Sequence, residues 1–416
     1  MKIAIIGSGI SGLTASYLLN QQHDITLFES DSRLGGHTAT IDFQLQGRDY
    51  RVDTGFIVFN DWTYPNFIKL MNQIGVSSKP TRMSFSVADL KTGLEYGGAG
   101  LNTLFAQRKN LFNFAHLGMI KDILRFNKEA IADLETGELD PAMTLGEYLD
   151  LNNYSQQFID FYLIPMGAAI WSSTLSGMRE FPLLFFVRFF KNHGLLSVKN
   201  RPQWHVIENG SNSYIEPLSA GFKNNIRLNT KITQVKRSGD AATLIFSDGE
   251  QEHFDQVVFA CHSDQALKLL ADPSQDETRV LGSIPYRENE VVLHTDAKLL
   301  PKSQLAWSAW NYQLGHSKQA LPVLSYNMNI LQGIESEHTF VVTLNATEQI
   351  DPSKIIGTYH YAHPVFTLGT IEAQEKWELI NGVNRTWFCG AYWANGFHED
   401  GCASGVRVAT ALGAKW

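Results

Sequence analysis

The chain has 416 residues, 44% of them hydrophobic and 12% aromatic, with a formal net charge of −8. That length and apolar fraction suit two domains with sizeable cores, and the acidic balance argues against generic nucleic-acid binding. Cys261, Cys389 and Cys402 are widely spaced, with no CxxC and no metal pattern, which excludes a disulfide framework and suits a reducing compartment.

The first residues already read as a strand, leaving no room for a secretory leader, and no apolar run reaches the ~18 residues of a membrane span. The expectation is a cytoplasmic protein, at most peripheral to the inner face of a membrane. Ile3 to Ile6 form an apolar strand that runs into Gly7-Ser8-Gly9-Ile10-Ser11-Gly12, and Leu13 to Leu19 follow at helical spacing. A second apolar run, Ile25 to Phe28, ends at Glu29. Each part suits the grip on a dinucleotide. Gly7 permits the tight strand-to-helix turn, Gly9 lets backbone amides approach a pyrophosphate, and Gly12 lets helix and strand pack closely. The helix end adds unpaired donors and partial positive charge, and Glu29 can accept the ribose hydroxyls.

Ser30 and Ser32 to Thr38 follow at once, with Arg33 beside the pair Gly35-Gly36 and then His37 and Thr38; Thr54-Gly55-Phe56 comes next. Paired glycines after the ribose-binding strand let the chain fold over a bound cofactor, a second layer that nicotinamide-only enzymes do not need. Pro65 to Gly75 reads as an amphipathic helix. Met83 to Val87 and Leu94 to Gly97 read as strands, and Leu101 to about Phe190 as helices. Ile226 to Val235 and Gln256 to Ala260 return to strands. Glu290–His294, Ala306–Trp310, Val323–Tyr326 and Phe340–Leu344 make a second strand-rich stretch. Near the end, Gly390 and Gly396-Phe397-His398-Glu399-Asp400-Gly401 precede an apolar helical tail.

On these residues the chain resembles the FAD-dependent oxidoreductases of the flavin amine oxidase, phytoene desaturase and protoporphyrinogen oxidase group. The resemblance implies an α/β fold: a Rossmann-like FAD domain with a parallel sheet, plus a substrate domain of mixed sheet and helices made by two insertions. Residues 1–60, 200–272 and 382–416 would form the FAD domain, and 61–199 with 273–381 the substrate domain. It implies non-covalent FAD, held by the residues already named and by the backbone around Val235, Gly390, His398, Asp400 and Gly401. The tail helix would point its N-terminus at the flavin pyrimidine, where negative charge develops on reduction. Asp400 can cap that helix.

His398, Glu399 and His294 are the candidate proton-handling residues, with His360 and His363 behind them. Phe185, Phe186, Phe189 and Phe190 share a helical face that reads either as core or as the wall of an apolar tunnel, with Arg188 and Lys191 at the level of lipid phosphates. Leu104 to His116 is a second basic and aromatic stretch. The stretch Tyr286 to Val291 lacks the lysine common in amine oxidases, and Ala391 stands where an acidic residue is frequent. Leu293-His294-Thr295-Asp296 and Gly396–Gly401 look like a subgroup that accompanies cyclopropane-fatty-acid synthase-like methyltransferases. That implies an acyl chain as substrate, with desaturation by hydride transfer to flavin N5, and a methyltransferase as possible partner. Three rivals stay open: a small-amine oxidase, a reduced-flavin isomerase and a non-catalytic flavoprotein partner.

Overall fold

Four consecutive buried residues, Ile3 to Ile6, mark the strand Lys2–Ile6 as covered on both faces. The computed structural model describes all residues, Met1–Trp416. It places this strand at the centre of a five-stranded sheet, in the order Ile226–Arg227, Asp24–Phe28, Lys2–Ile6, Gln256–Phe259, Thr386–Phe388, and every pairing is parallel. The helix Ile10–Leu19 is buried almost all round. It lies between the sheet and the C-terminal helix His398–Ala411. A Cβ on Gly405 would stand 2.5 Å from Ser11 O, so only glycine permits that helix crossing.

A seven-stranded sheet runs in the order Ile355–Pro364, Tyr286–His294, Val341–Leu344, Val323–Asn327, Trp310–Leu314, Phe85–Asp89, Glu95–Gly97. All its pairings are antiparallel except Trp310–Leu314 with Phe85–Asp89. Stretches far apart in sequence therefore build one sheet. The helices between residues 101 and 192 cover part of it through a core that includes Met119, Phe126, Phe158, Phe186 and Phe190 with Tyr312, Leu314 and Leu324. This is the expected mixed α/β class. The amphipathic helix also forms, as Pro65–Ile74, opened by proline in its first turn and closed by Gly75 in the left-handed region at φ 71°.

Two expected strands differ. The run Ile226 to Val235 is split: Ile226–Arg227 edges the parallel sheet, and Ile232–Ser238 starts a separate antiparallel sheet. Asn229, at φ 53°, turns the chain between them and its amide donates to Asp31 O. Ala306–Trp310 is not a strand either; pairing begins at Trp310. Ser308 N–H donates to Asn311 Oδ1 at 2.9 Å and Asn311 Nδ2 returns to Ser308 O at 2.7 Å, a local loop that outcompetes the ladder.

Candidate functional site

Gly7 adopts φ 106° at the end of the first strand. A Cβ on Gly12 would sit 1.9 Å from Gly7 O, whereas one on Gly9 would meet nothing within 4 Å. Gly12 is thus demanded by packing, and Gly9 by what must come close to it from outside. The first intrahelical bond is Leu13 N–H to Gly9 O, which leaves the amides of Ile10, Ser11 and Gly12 pointing out of the helix end. Glu29, at the tip of the second strand, accepts from Ser8 N–H at 2.9 Å and Ser8 Oγ at 2.6 Å; its other oxygen accepts from Asp31 N–H and Ser30 Oγ. Ser8 O in turn accepts from Gly35 N–H.

The second glycine pair folds back over this turn. Gly36 comes so near that a Cβ on it would lie 3.3 Å from Gly9 Cα. Arg33 donates to Gly36 O at 2.8 Å and Thr38 O at 3.0 Å. Its guanidinium thereby shapes the loop. Gly55 is required because a Cβ there would lie 2.0 Å from His37 O. Thr54 Oγ1 pairs with Tyr361 OH at 2.9 Å, tying the loop to the larger sheet. Val235 is buried and its carbonyl accepts from Ala271 N–H.

His37 stands among Tyr361, His363 and His262, with ring centroids 5.1, 5.6 and 5.9 Å away. Its Nε2 is buried without a partner. Burial first, then His363 and His262, hold His37 well below the ordinary imidazole range. His360 faces solvent on the opposite side of the same strand. A dinucleotide cradle with an open Gly9, three free helix-end amides and a buried nitrogen lacking a partner fits FAD.

The tail helix begins at His398. Gly401 N–H to Phe397 O is its first bond, so the amides of His398, Glu399 and Asp400 are the free donors of that end. His398 stacks on Phe56 at 3.6 Å and 5°, and its Nε2 lies 2.8 Å from Tyr214 OH, which is 2.6 Å from Thr38 Oγ1. Burial pushes His398 down to about 3, so it rests neutral. Gly401 packs on Ile10 and Ser11, and Gly390 N–H donates to Ser404 Oγ, which seats the loop before the helix.

The other candidates have different surroundings. Asp400 caps its own helix, accepting from Phe397 N–H at 2.8 Å, and burial raises it to about 7. Glu399 points away, accepting from Phe67 N–H at 2.9 Å and from Asn66 N–H and Nδ2 at 3.2 and 2.7 Å. It caps the helix Pro65–Ile74 from outside. Replacing Glu399 with alanine is expected to cost about 1–3 kcal/mol of stability, read as a lower melting temperature, because the buried Phe67 amide and the half-buried Asn66 amide lose their acceptor.

His294 does not join the other two. Its Nε2 pairs with Thr343 Oγ1 at 2.8 Å and its Nδ1 accepts from Asp296 N–H at 3.0 Å. Its strand neighbour is Ile355, while Arg287, near the other end, pairs with His363. Seven residues at ~3.3 Å each separate His294 from the histidine cluster by roughly 23 Å along the strand. The alternation that placed it on one face was sound, but it said nothing of which end of the strand meets the cradle.

Aromatic side chains wall the loop before the tail helix. Phe397 stacks on Phe189 at 5.0 Å, and Trp171 Nε1 donates to Asn395 O at 3.3 Å. A Cβ on Gly396 would lie 3.2 Å from Phe366, which stacks on Phe185 at 5.1 Å. In the helix Leu183–Asn192, Phe186, Phe189 and Phe190 are buried core, while Phe185 is half-buried against Phe366. Lys191 is paired with Glu135 at 2.8 Å and Arg188 is exposed. Sequence reasoning gave no role to Tyr214 or His262, which stand beside His398 and His37.

Together the parallel sheet, the doubled glycine turn and the C-terminal helix end define a dinucleotide-dependent oxidoreductase. The profile of flavin containing amine oxidoreductases matches residues 10–339, well over half of the chain, and the chain belongs to that family: it is an FAD-dependent oxidoreductase. Coproporphyrinogen III oxidase of Staphylococcus aureus is 24% identical over 338 residues, 71% of this chain and 68% of that protein. Cyclohexylamine oxidase from Brevibacterium oxydans superposes with a TM-score of 0.69 at 15% identity, covering 99% of this chain and 98% of that one. A CLA-producing fatty acid isomerase from P. acnes reaches 0.70 at 16% identity with the same coverage. At these identities the two structures speak for the fold alone.

Proposed function

We propose that this protein dehydrogenates an apolar substrate, the acyl chain of a lipid, by hydride transfer to FAD. The observation that carries this reading is the aromatic wall of Trp171, Phe185, Phe189, Phe366 and Phe397 around the loop that leads into the tail helix. An amine would call for a polar or anionic partner. The strand Tyr286–His294 has no lysine, and position 391 is alanine. The likeness of Leu293–Asp296 and Gly396–Gly401 to flavoproteins accompanying cyclopropane-fatty-acid synthase-like methyltransferases supports an acyl substrate and such a methyltransferase as partner.

Bound FAD supplies the two-electron acceptor. The half-buried Phe185 and Phe397, backed by the core rings, would orient the chain, and the amides of His398, Glu399 and Asp400 present partial positive charge at the helix end. Of the three proton-handling candidates, His398 is favoured by its contact with Tyr214 OH beside Thr38. His398 would take the accompanying proton at Nδ1, with its Nε2–H held by Tyr214 OH.

Anaerobic titration of the yellow protein tests the reading. Phospholipids with saturated or monounsaturated chains are expected to bleach the flavin, and primary amines to leave it unchanged. Bleaching by amines and not by lipids overturns the proposal in favour of an amine oxidase. A double-bond shift catalysed only by pre-reduced protein overturns it in favour of an isomerase.

A further inference from the structure

We propose that residues 101–128 form a membrane-docking face that seats the protein on an anionic lipid surface. The face begins at a short turn. Leu101, Leu111, Phe112 and Phe114 are exposed there, Phe112 at 85% and Phe114 at 89%. Large aromatic rings are rarely left so open without a partner. The turn is not a loose tail: His116 Nε2 lies 3.1 Å from Leu104 O, and Phe105 packs edge-on to His116 at 5.5 Å.

The helix Phe114–Thr136 continues the face. Its outward residues are Phe114, Leu117, Lys121, Leu124 and Lys128, spaced by three, four, three and four, so they lie on one stripe. A helix in water normally turns its charged stripe outward; here three of the five outward positions are apolar.

Charge decides what covers this face. The whole chain carries −8, yet residues 98–121 contain Arg108, Lys109 and Lys121 and no carboxylate. The acidic residues of the helix are all engaged, although Glu135 is exposed. Asp122 accepts from Ser155 N–H, Glu129 from Tyr154 OH, Asp133 from Tyr148 OH, and Glu135 pairs with Lys191. Lys109, Lys121 and Lys128 have no ion-pair partner. Unpaired lysines beside protruding phenylalanines match the two layers of a bilayer surface, phosphate above and acyl chain below. No helix is long and apolar enough to cross a membrane, so the contact is one of lying on the surface.

This inference goes beyond the proposed reaction and stands or falls apart from it. The test is sedimentation of the FAD-loaded full chain with phosphatidylcholine vesicles, with and without phosphatidylglycerol. The protein is expected to pellet with the anionic vesicles, and about tenfold less with neutral ones or at high salt. Phe112→Ser with Phe114→Ser, and separately Lys109→Glu with Lys121→Glu, are expected to weaken pelleting about tenfold. Flavin content and melting temperature should stay at wild-type values, since these side chains are exposed. Wild-type protein that stays in the supernatant with anionic vesicles overturns the proposal, as does equal pelleting of both double variants. Self-association without vesicles that Phe112→Ser with Phe114→Ser abolishes also overturns it, in favour of a contact between copies.

Discussion

Gly9→Val is expected to give folded protein without yellow colour. A side chain at this position meets nothing of the protein within 4 Å, and its backbone at φ −63° suits any residue. The fold should therefore keep its melting profile. The added methyls would occupy the space in front of the amides of Ile10, Ser11 and Gly12, where a pyrophosphate must come within hydrogen-bond distance. Flavin absorbance per mole of purified chain should fall more than about tenfold, a loss of at least 1.4 kcal/mol of binding. Gly12→Ala is the contrasting case. Its methyl would stand 1.9 Å from Gly7 O, a backbone atom that has no room to move, so this variant should lose the fold along with the cofactor. Stoichiometric FAD in Gly9→Val would overturn the assignment of the cradle.

His398→Leu should retain FAD and slow its anaerobic reduction by substrate by about 10²-fold, the lower end of what a positioned proton carrier supplies. Tyr214→Phe should show a similar loss, because it removes the 2.8 Å contact to Nε2 and the 2.6 Å contact to Thr38 together. The pH dependence follows from burial. With His398 held at about 3, the ring is neutral from pH 5 upward, and no break in rate near pH 6.5 should arise from it. A break at pH 6.5 that vanishes in His398→Leu would show a solvated imidazole in another role.

The dinucleotide cradle was legible because its parts are local. Strand, glycine turn, helix and acidic tip lie within residues 2–29, and the steric reason for Gly12, the nearness of Gly7 O, lies within that stretch too. The tail loop was legible for the same reason: Asp400 reaches back only to Phe397. For Arg33 the sequence showed an arginine beside glycines, and only the folded loop shows Gly36 O and Thr38 O within its reach. His294 and Glu399 were misplaced for a different reason. Residue type suggested chemistry, yet the partners that occupy them, Thr343 and Asn66, lie 49 and 333 residues away.

What residue order alone determined was therefore everything set by spacing within one turn or one strand: the βαβ grip, the paired glycines, the capped tail helix and the α/β class. Tertiary structure decided which end of the strand Tyr286–His294 meets the cradle, which carboxylate caps a foreign helix, and that Tyr214 stands between Thr38 and His398. Those outcomes depend on how separate elements pack against each other. Packing is a sum of many weak, non-local contacts, which no short window of sequence contains.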